Sequence, residues 1–256
     1  MAEMPSLSFE RIAESYDQTR GGEERGAAFA SGIRPWLPRQ GSILEVGVGT
    51  GAVALALRQD GLDVLGVDLS PGMLVRAAER LGPRVAVADA QRLPIATGTM
   101  AGAYATWVLH VVADPGGALA EVARVLRPGG AFVAILSTPT QLVTDVDRLL
   151  RSMQARLRGK RADMPDRIIS LAAAAGLELT GRADIANEVH GTVPTEVIER
   201  IHDRTYSVLW DLDDAIWQAE VEPTVAALRA LPEPDRARVH RDHYPLLAFR
   251  RSAAGP

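Results

Sequence analysis

The sequence predicts an α/β fold built on a mostly parallel sheet. Three observations carry this. From residue 42 to residue 136, short apolar runs alternate with segments of helical periodicity, the pattern of strands linked by crossover helices. A glycine-rich turn, Gly47-Val48-Gly49-Thr50-Gly51, joins the first apolar run to the first helix, where open parallel sheets place their ligands. The 256 residues are 47% apolar and 23% charged, enough to close a core without disulfides or metal.

Residues 42–46 read as the first strand and 51–59 as its helix. Residues 63–67 form the second strand; 71–80 form a helix opened by Pro71, a residue suited to a first turn. The third strand is expected at 84–88, the fourth at 102–109 and a helix at 115–126. Arg127-Pro128-Gly129-Gly130 is a turn signal, and 131–136 a fifth strand. Further on, Val146, Leu149, Leu150, Met153 and Leu157 mark one face of a helix. A helix at 165–175 is closed by Gly176. Strands are expected at 177–185 and 244–249. The stretch 195–231 between them is mostly helical and too long for a simple connection, so it reads as an inserted cap.

Charge and composition narrow the function. Twenty-eight basic residues against 32 acidic ones leave a net charge of −4, which argues against a dedicated nucleic-acid binder. The absence of cysteine excludes thiolate nucleophiles, cysteine zinc sites and iron–sulfur clusters. The N-terminus carries no basic start or apolar h-region, and no apolar stretch approaches the roughly 18 residues of a spanning helix. The expected location is cytoplasmic, with no membrane partner.

Glycines at 47, 49 and 51 let the chain turn sharply and approach a ligand, with the N–H groups of the next helix pointing at it. Gly47, Gly49 and Ala52 also fit the dinucleotide pattern, with Asp68 about 20 residues on to bind ribose hydroxyls. On these features alone a nicotinamide cofactor stays open.

Three more features bear on the choice. Glu45 precedes the first glycine by two; Val67-Asp68-Leu69-Ser70-Pro71-Gly72-Met73 carries the second strand into its helix; Ala88-Asp89-Ala90-Gln91-Arg92-Leu93-Pro94 follows the third strand. Together they resemble the class I S-adenosylmethionine-dependent methyltransferases, and within them the branch of the ubiquinone and menaquinone C-methyltransferases. Phe9-Glu10-Arg11-Ile12-Ala13-Glu14-Ser15-Tyr16-Asp17, Val108-Leu109-His110-Val111-Val112-Ala113-Asp114-Pro115 and Leu126-Arg127-Pro128-Gly129-Gly130 are similar to that branch too. The resemblance covers residues 8 to 140 well and fades from 141 onward.

The resemblance implies a Rossmann-like methyltransferase sheet of seven strands, the last antiparallel, flanked by helices, with the helical cap before the last strand. One domain over 1–256 is expected: N-terminal helices at 1–37 closing the site, a cofactor core at 38–140, helices and the sixth strand at 141–194, the cap at 195–240, and the last strand and tail at 241–256. The implied cofactor is S-adenosyl-L-methionine. Gly47, Gly49 and Gly51 would pack against its methionine and ribose part, and Glu45 would fix the loop and help hold the ammonium group. Asp68 would take the ribose hydroxyls. Leu69 and Met73 would line the adenine slot, with Asp89 and Ala90 meeting the adenine ring. Trp107 would lie near the sulfonium, and Tyr16 and Arg20 would close the site.

His110 is the candidate general base, since it follows the fourth strand at the ligand edge and histidine titrates near neutrality. The family often has two histidines here, whereas this chain continues with Val111. His190, Tyr206 and Trp210 are candidate acceptor-site residues, the two aromatics sharing a face if 206–210 is helical. The expected reaction is methyl transfer to a small-molecule acceptor, at an oxygen of an aromatic or polyketide-like metabolite. Alternatives are C-methylation of a quinone-like ring, an NAD(P)-dependent oxidoreductase, and a protein that binds the cofactor without transferring methyl.

Overall fold

The computed structural model describes residues 16–17, 21–140, 144–158 and 163–253. The sheet has seven strands: β1 (Ser42–Val46), β2 (Asp63–Asp68), β3 (Val85–Val87), β4 (Met100–Thr106), β5 (Leu126–Ile135), β6 (Leu177–Thr192) and β7 (Arg238–Arg251). Their order is β3-β2-β1-β4-β5-β7-β6. Strands β1 to β5 pair in parallel, and β7 pairs antiparallel with β5. The helices used below are α1 (Gly22–Ile33), α2 (Ala52–Gln59), α3 (Pro71–Leu81), α4 (Pro115–Val125), α5 (Asp145–Arg158), α6 (Pro165–Ala174), α7 (Pro194–His202) and α8 (Glu222–Arg229).

Alternate side chains of each strand enter cores on opposite faces of the sheet. Leu44, Val46, Ala103, Ala105, Phe132 and Ala134 pack with Leu119 and Val122 of α4 and Ile168 of α6. Ile43, Val64, Tyr104, Val133 and Ile135 pack with Phe29 and Ile33 of α1 and Leu57 of α2. Covering both faces is what makes these strands read as continuous apolar runs. Helix starts are fixed locally: the Ser70 hydroxyl accepts the Met73 N–H at 3.2 Å, and the Asp114 carboxylate accepts the Gly116 N–H at 2.9 Å.

The structure corrects several sequence expectations. β4 ends at Thr106 rather than 109, because Trp107 turns into a left-handed backbone with φ 57°. The 127–130 turn lies inside β5 as an outward bulge: Leu126 pairs with Met100 and Ala131 with Gly102. β6 and β7 run longer than expected, to Thr192 and from Arg238. The 195–231 stretch is helical in pieces. α7 is followed by a 3-10 turn at Ser207–Leu209, a short turn at Asp214–Ile216, a π segment at Trp217–Val221 and α8. Tyr206 is extended, with φ −86° and ψ 128°, so Tyr206 and Trp210 do not share a helical face. Arg204, at φ 51°, leaves α7, and Asp213 caps the next turn by accepting the Ile216 N–H at 2.8 Å.

The chain divides into two compact units. The first comprises Met1–Thr138, Ala162–Asn187 and Tyr244–Pro256; the second comprises Pro139–Arg161 and Glu188–His243. The second has its own core, with Val146 and Met153 of α5, Val197 and Ile201 of α7, Leu209, and Val225 and Leu228 of α8. Among the described residues, no helix is long and apolar enough to cross a membrane.

Candidate active site

The glycine turn is built by its contacts with the end of β2. The N–H groups of Gly47 and Val48 both donate to the Val67 carbonyl, at 2.8 and 2.9 Å. Gly47 has φ 71°, and a Cβ there would stand 2.3 Å from Val108 Cγ2. Gly49 has φ 53°, and a Cβ there would meet nothing within 4 Å. Space beside the Gly49 backbone is therefore open to a ligand.

Three acids surround this turn. Asp68 ends β2; its Oδ2 accepts the Gly49 N–H at 2.8 Å and its Oδ1 the Ser70 N–H at 2.9 Å. Asp89 Oδ1 accepts the Gln91 N–H at 2.8 Å. Glu45 is 2% exposed, and its Oε2 accepts the Tyr104 hydroxyl at 2.9 Å. Burial pushes the Glu45 carboxyl up to about 8; Tyr104 opposes this, and the nearby Asp68 charge adds to it. Burial and the Glu45 charge likewise push the Tyr104 phenol up.

A cleft of about 970 Å³, open mouth included, runs along the carboxyl ends of β1, β2 and β4. It brings together Tyr16, Gly47, Gly49, Asp68, Leu69 and Met73, with Asp89, Ala90 and Trp107. An adjoining recess of about 530 Å³ shares Tyr16, Gly47, Gly49 and Trp107 and adds Glu45. Gly51 lines neither; it precedes α2 with φ 82° and packs on Ala77 and Leu81. Arg20 lies outside the described residues, as does the side chain of His190. Tyr206 and Trp210 belong to the second unit.

Trp107 stands where cleft and recess meet. Its indole N–H donates to the Leu136 carbonyl at 3.1 Å, and its ring meets Phe29 and Tyr244 edge-on, with centroids 4.7 and 5.0 Å apart. The Arg25 guanidinium lies 3.7 Å from its ring centroid. A non-glycine residue held at positive φ beside a cleft marks strain of the kind that functional sites store. Tyr16 is held through its neighbour Asp17, which accepts the Thr50 hydroxyl at 2.6 Å and pairs with Arg80 at 2.8 Å.

His110 does not line the cleft, although Val108, Val111, Val112 and Ala113 around it do. Its Nδ1 is 4.0 Å from Oδ2 of Asp163, a carboxylate 1% exposed, which is beyond hydrogen-bond distance. Asp163 Oδ2 accepts the Ser137 N–H at 2.6 Å; Asp163 Oδ1 is buried with no hydrogen-bond partner among the described residues. Sequence reading did not single out Tyr104, Arg25, Asp17 or Asp163. Tyr104 could have been found as a tyrosine in an otherwise small, apolar strand, Met100–Thr106, and Asp17 as the end of the motif at 9–17; Arg25 and Asp163 carry no local signal.

The geometry fits a cofactor that has an ammonium group and ribose hydroxyls. Glu45 and the recess suit the first, Asp68 suits the second, and the open side of Gly49 gives room between them. Comparison with known proteins agrees. A methyltransferase domain model matches residues 44–134. The chain is 33% identical over 172 residues to the demethylmenaquinone methyltransferase of Mycolicibacterium vanbaalenii, spanning 64% of this chain and 75% of that one. It is 34% identical over 141 residues to the ubiquinone/menaquinone biosynthesis C-methyltransferase of Desulfotalea psychrophila, spanning 51% of this chain but only 57% of that relative. Among solved structures, the (4+2)-cyclase SpnF superposes with a TM-score of 0.63 at 19% identity, over 97% of this chain and 95% of that one. The geranyl diphosphate C-methyltransferase of Streptomyces coelicolor, solved with Mg2+, geranyl diphosphate and S-adenosyl-L-homocysteine, gives 0.54 at 18% identity, over 88% and 78%. At such identities these two structures show shared fold alone. With the sequence relatives and the domain match, the sheet order and the site place the chain in the class I S-adenosylmethionine-dependent methyltransferases.

Proposed function

We propose that the enzyme methylates a hydroxylated, quinol-like aromatic ring at carbon. The observation that carries this is the reach of the sequence similarity. The 172 residues aligned with a demethylmenaquinone methyltransferase extend past the 44–134 domain match, so more than the cofactor machinery is shared. The apolar side of the cleft, Val108, Val111, Val112 and Ala113, suits an aromatic acceptor.

S-adenosylmethionine, when bound, supplies a methyl group on a sulfonium, ready for in-line displacement. The chain's own residues do the rest. Asp68, Glu45 and Gly49 hold and orient the cofactor, and the apolar wall keeps water from the reacting atoms. His110 lies outside the cleft lining, so it takes the proton of the ring hydroxyl through one intervening water; the hydroxyl's pKa near 10 makes a base useful. Asp163 sits behind Nδ1 and stabilises the charged imidazole. Ionisation through His110 would place electron density on the ring carbon, which would accept the methyl group that the cofactor supplies. The ring C–H proton would then pass to solvent water, and the protonated His110 would return its proton to the ring oxygen. An ionised phenol carries charge on both oxygen and ring carbon, so O-methylation of the same acceptor is the second reading.

The test uses 13C-methyl-labelled S-adenosylmethionine with a water-soluble naphthoquinol that lacks its ring methyl. The expected product carries the label on carbon by NMR, and His110→Gln lowers kcat by about 10²–10⁴-fold and removes the acid limb of the pH–rate profile. Label on oxygen supports the second reading. Transfer to amines or carboxylates but to no hydroxylated ring overturns both.

A further inference from the structure

A second cluster of ligating side chains lies wholly within the second unit, apart from the residues assigned to methyl transfer. His240 is on the first half of β7, with a side chain 1% exposed. Its Nδ1 is 2.8 Å from the Arg238 carbonyl oxygen. A carbonyl only accepts, so Nδ1 carries a proton, and in the neutral tautomer Nε2 is then the ligating nitrogen. Nε2 lies 3.8 Å from Asp147 Oδ1 and 3.7 Å from Asp242 Oδ1. All three candidate ligand atoms lie within 4.8 Å of one another.

These separations are too long for hydrogen bonds between the groups. They are close to the spacing of donors around one ion: bonds of about 2.0–2.2 Å set tetrahedral ligands about 3.3–3.6 Å apart. An outer shell is present as well. The Nδ1–H to carbonyl contact fixes the tautomer and ring orientation, as it does for ligating histidines generally. Asp147 Oδ2 accepts the Thr144 N–H at 2.9 Å, leaving Oδ1 turned to the cluster. The Asp147 and Asp242 side chains are 20% and 14% exposed, so the group is sheltered and not a chance gathering of surface acids. Two carboxylates and a neutral imidazole sum to −2, the complement of a dication. Nearby Arg238 pairs with Asp145 at 3.3 Å.

We propose that Asp147, His240 and Asp242 form a binding site for a divalent transition-metal ion of the zinc and manganese class. An imidazole nitrogen beside two carboxylates suits these ions, whereas Mg2+ and Ca2+ favour all-oxygen shells. The ion clips the first turn of α5 to the start of β7, a structural role inside the second unit that none of the methyl-transfer residues shares.

The test uses the full chain, stripped with chelator and titrated calorimetrically with Zn2+, with Mg2+ as the comparison ion and Co2+ absorbance as a spectroscopic reading of the ligand set. One Zn2+ per chain is expected, with a raised melting temperature and no competition from Mg2+. Asp242→Asn should weaken binding by more than the about 10–100-fold that losing an outer-shell partner costs. His240→Gln should abolish it, while the exposed His202→Ala should leave it intact. If His240→Gln fails to fold, Asp242→Asn decides alone. Absence of saturable Zn2+ binding, or binding that Asp242→Asn leaves undiminished, overturns the site and leaves His240 as a histidine between two acids.

Discussion

Glu45 holds its proton at neutral pH because it is buried, and that couples cofactor binding to pH. Its carboxyl is raised from 4.5 to about 8 in the folded chain. The sign follows: the stability this group contributes is fully present below 4.5 and is lost as pH rises towards about 8. An ammonium group arriving in the recess favours the ionised form instead. Binding of S-adenosylhomocysteine at pH 7 should therefore release up to one proton, seen as a binding enthalpy that changes with the ionisation heat of the buffer. Glu45→Gln should remove that dependence; a buffer-independent enthalpy in the unmodified enzyme would sink the idea. The position of Glu45 was legible in the sequence, two residues ahead of the first glycine. Its protonation state was not, because it depends on Tyr104, 59 residues away and brought alongside only by the pairing of β1 with β4. Asp163 was hidden for the same reason, 53 positions after His110 in the chain (163 minus 110) yet close to it in space.

At the scale of the element, the turn from β1 into α2 separates two jobs of glycine. Gly47→Ala puts a Cβ 2.3 Å from Val108 in a left-handed backbone, so it should cost about 1–3 kcal/mol of stability and also weaken cofactor binding. Gly49→Ala meets no neighbour; its backbone penalty is about 1–2 kcal/mol, but its methyl enters space assigned to the ligand. Its loss of cofactor affinity should exceed that of Gly47→Ala, relative to the drop in melting temperature. Equal ratios of the two effects would show that the space beside Gly49 is not used. The strands and helices around this turn were readable because apolar runs and Pro71 and Pro115 mark their limits. The end of β4 was not, since Trp107-Val108-Leu109 is as apolar as a strand and only the backbone of Trp107 reveals the stop. Within 195–231 the acidic run Asp211-Leu212-Asp213-Asp214 marks the break that Asp213 caps, whereas nothing local marks the one at Arg204.

For the molecule as a whole, the cofactor class predicts which ligands stabilise it. S-adenosylmethionine and S-adenosylhomocysteine should raise the melting temperature, since they bind the native state alone, and NADH and NADPH should not. A shift with the nicotinamides only would contradict the site as described. The architecture of the first unit was legible because its motifs fall in order along a regular chain. That 139–161 joins 188–243 in a second unit was not, because the two segments meet through tertiary packing such as Val146 and Met153 against Val197 and Val225. The sheet order also has a consequence for biosynthesis. β7 is made last but lies between β5 and β6. While the chain is emerging from the ribosome, β5 presents an unpaired edge whose core residues include Phe132 and Ile135, and β6 waits without its neighbour. The nascent protein therefore passes through a stage prone to edge-to-edge association, which ends only when Leu246–Phe249 slides in and zips the ladder from both sides.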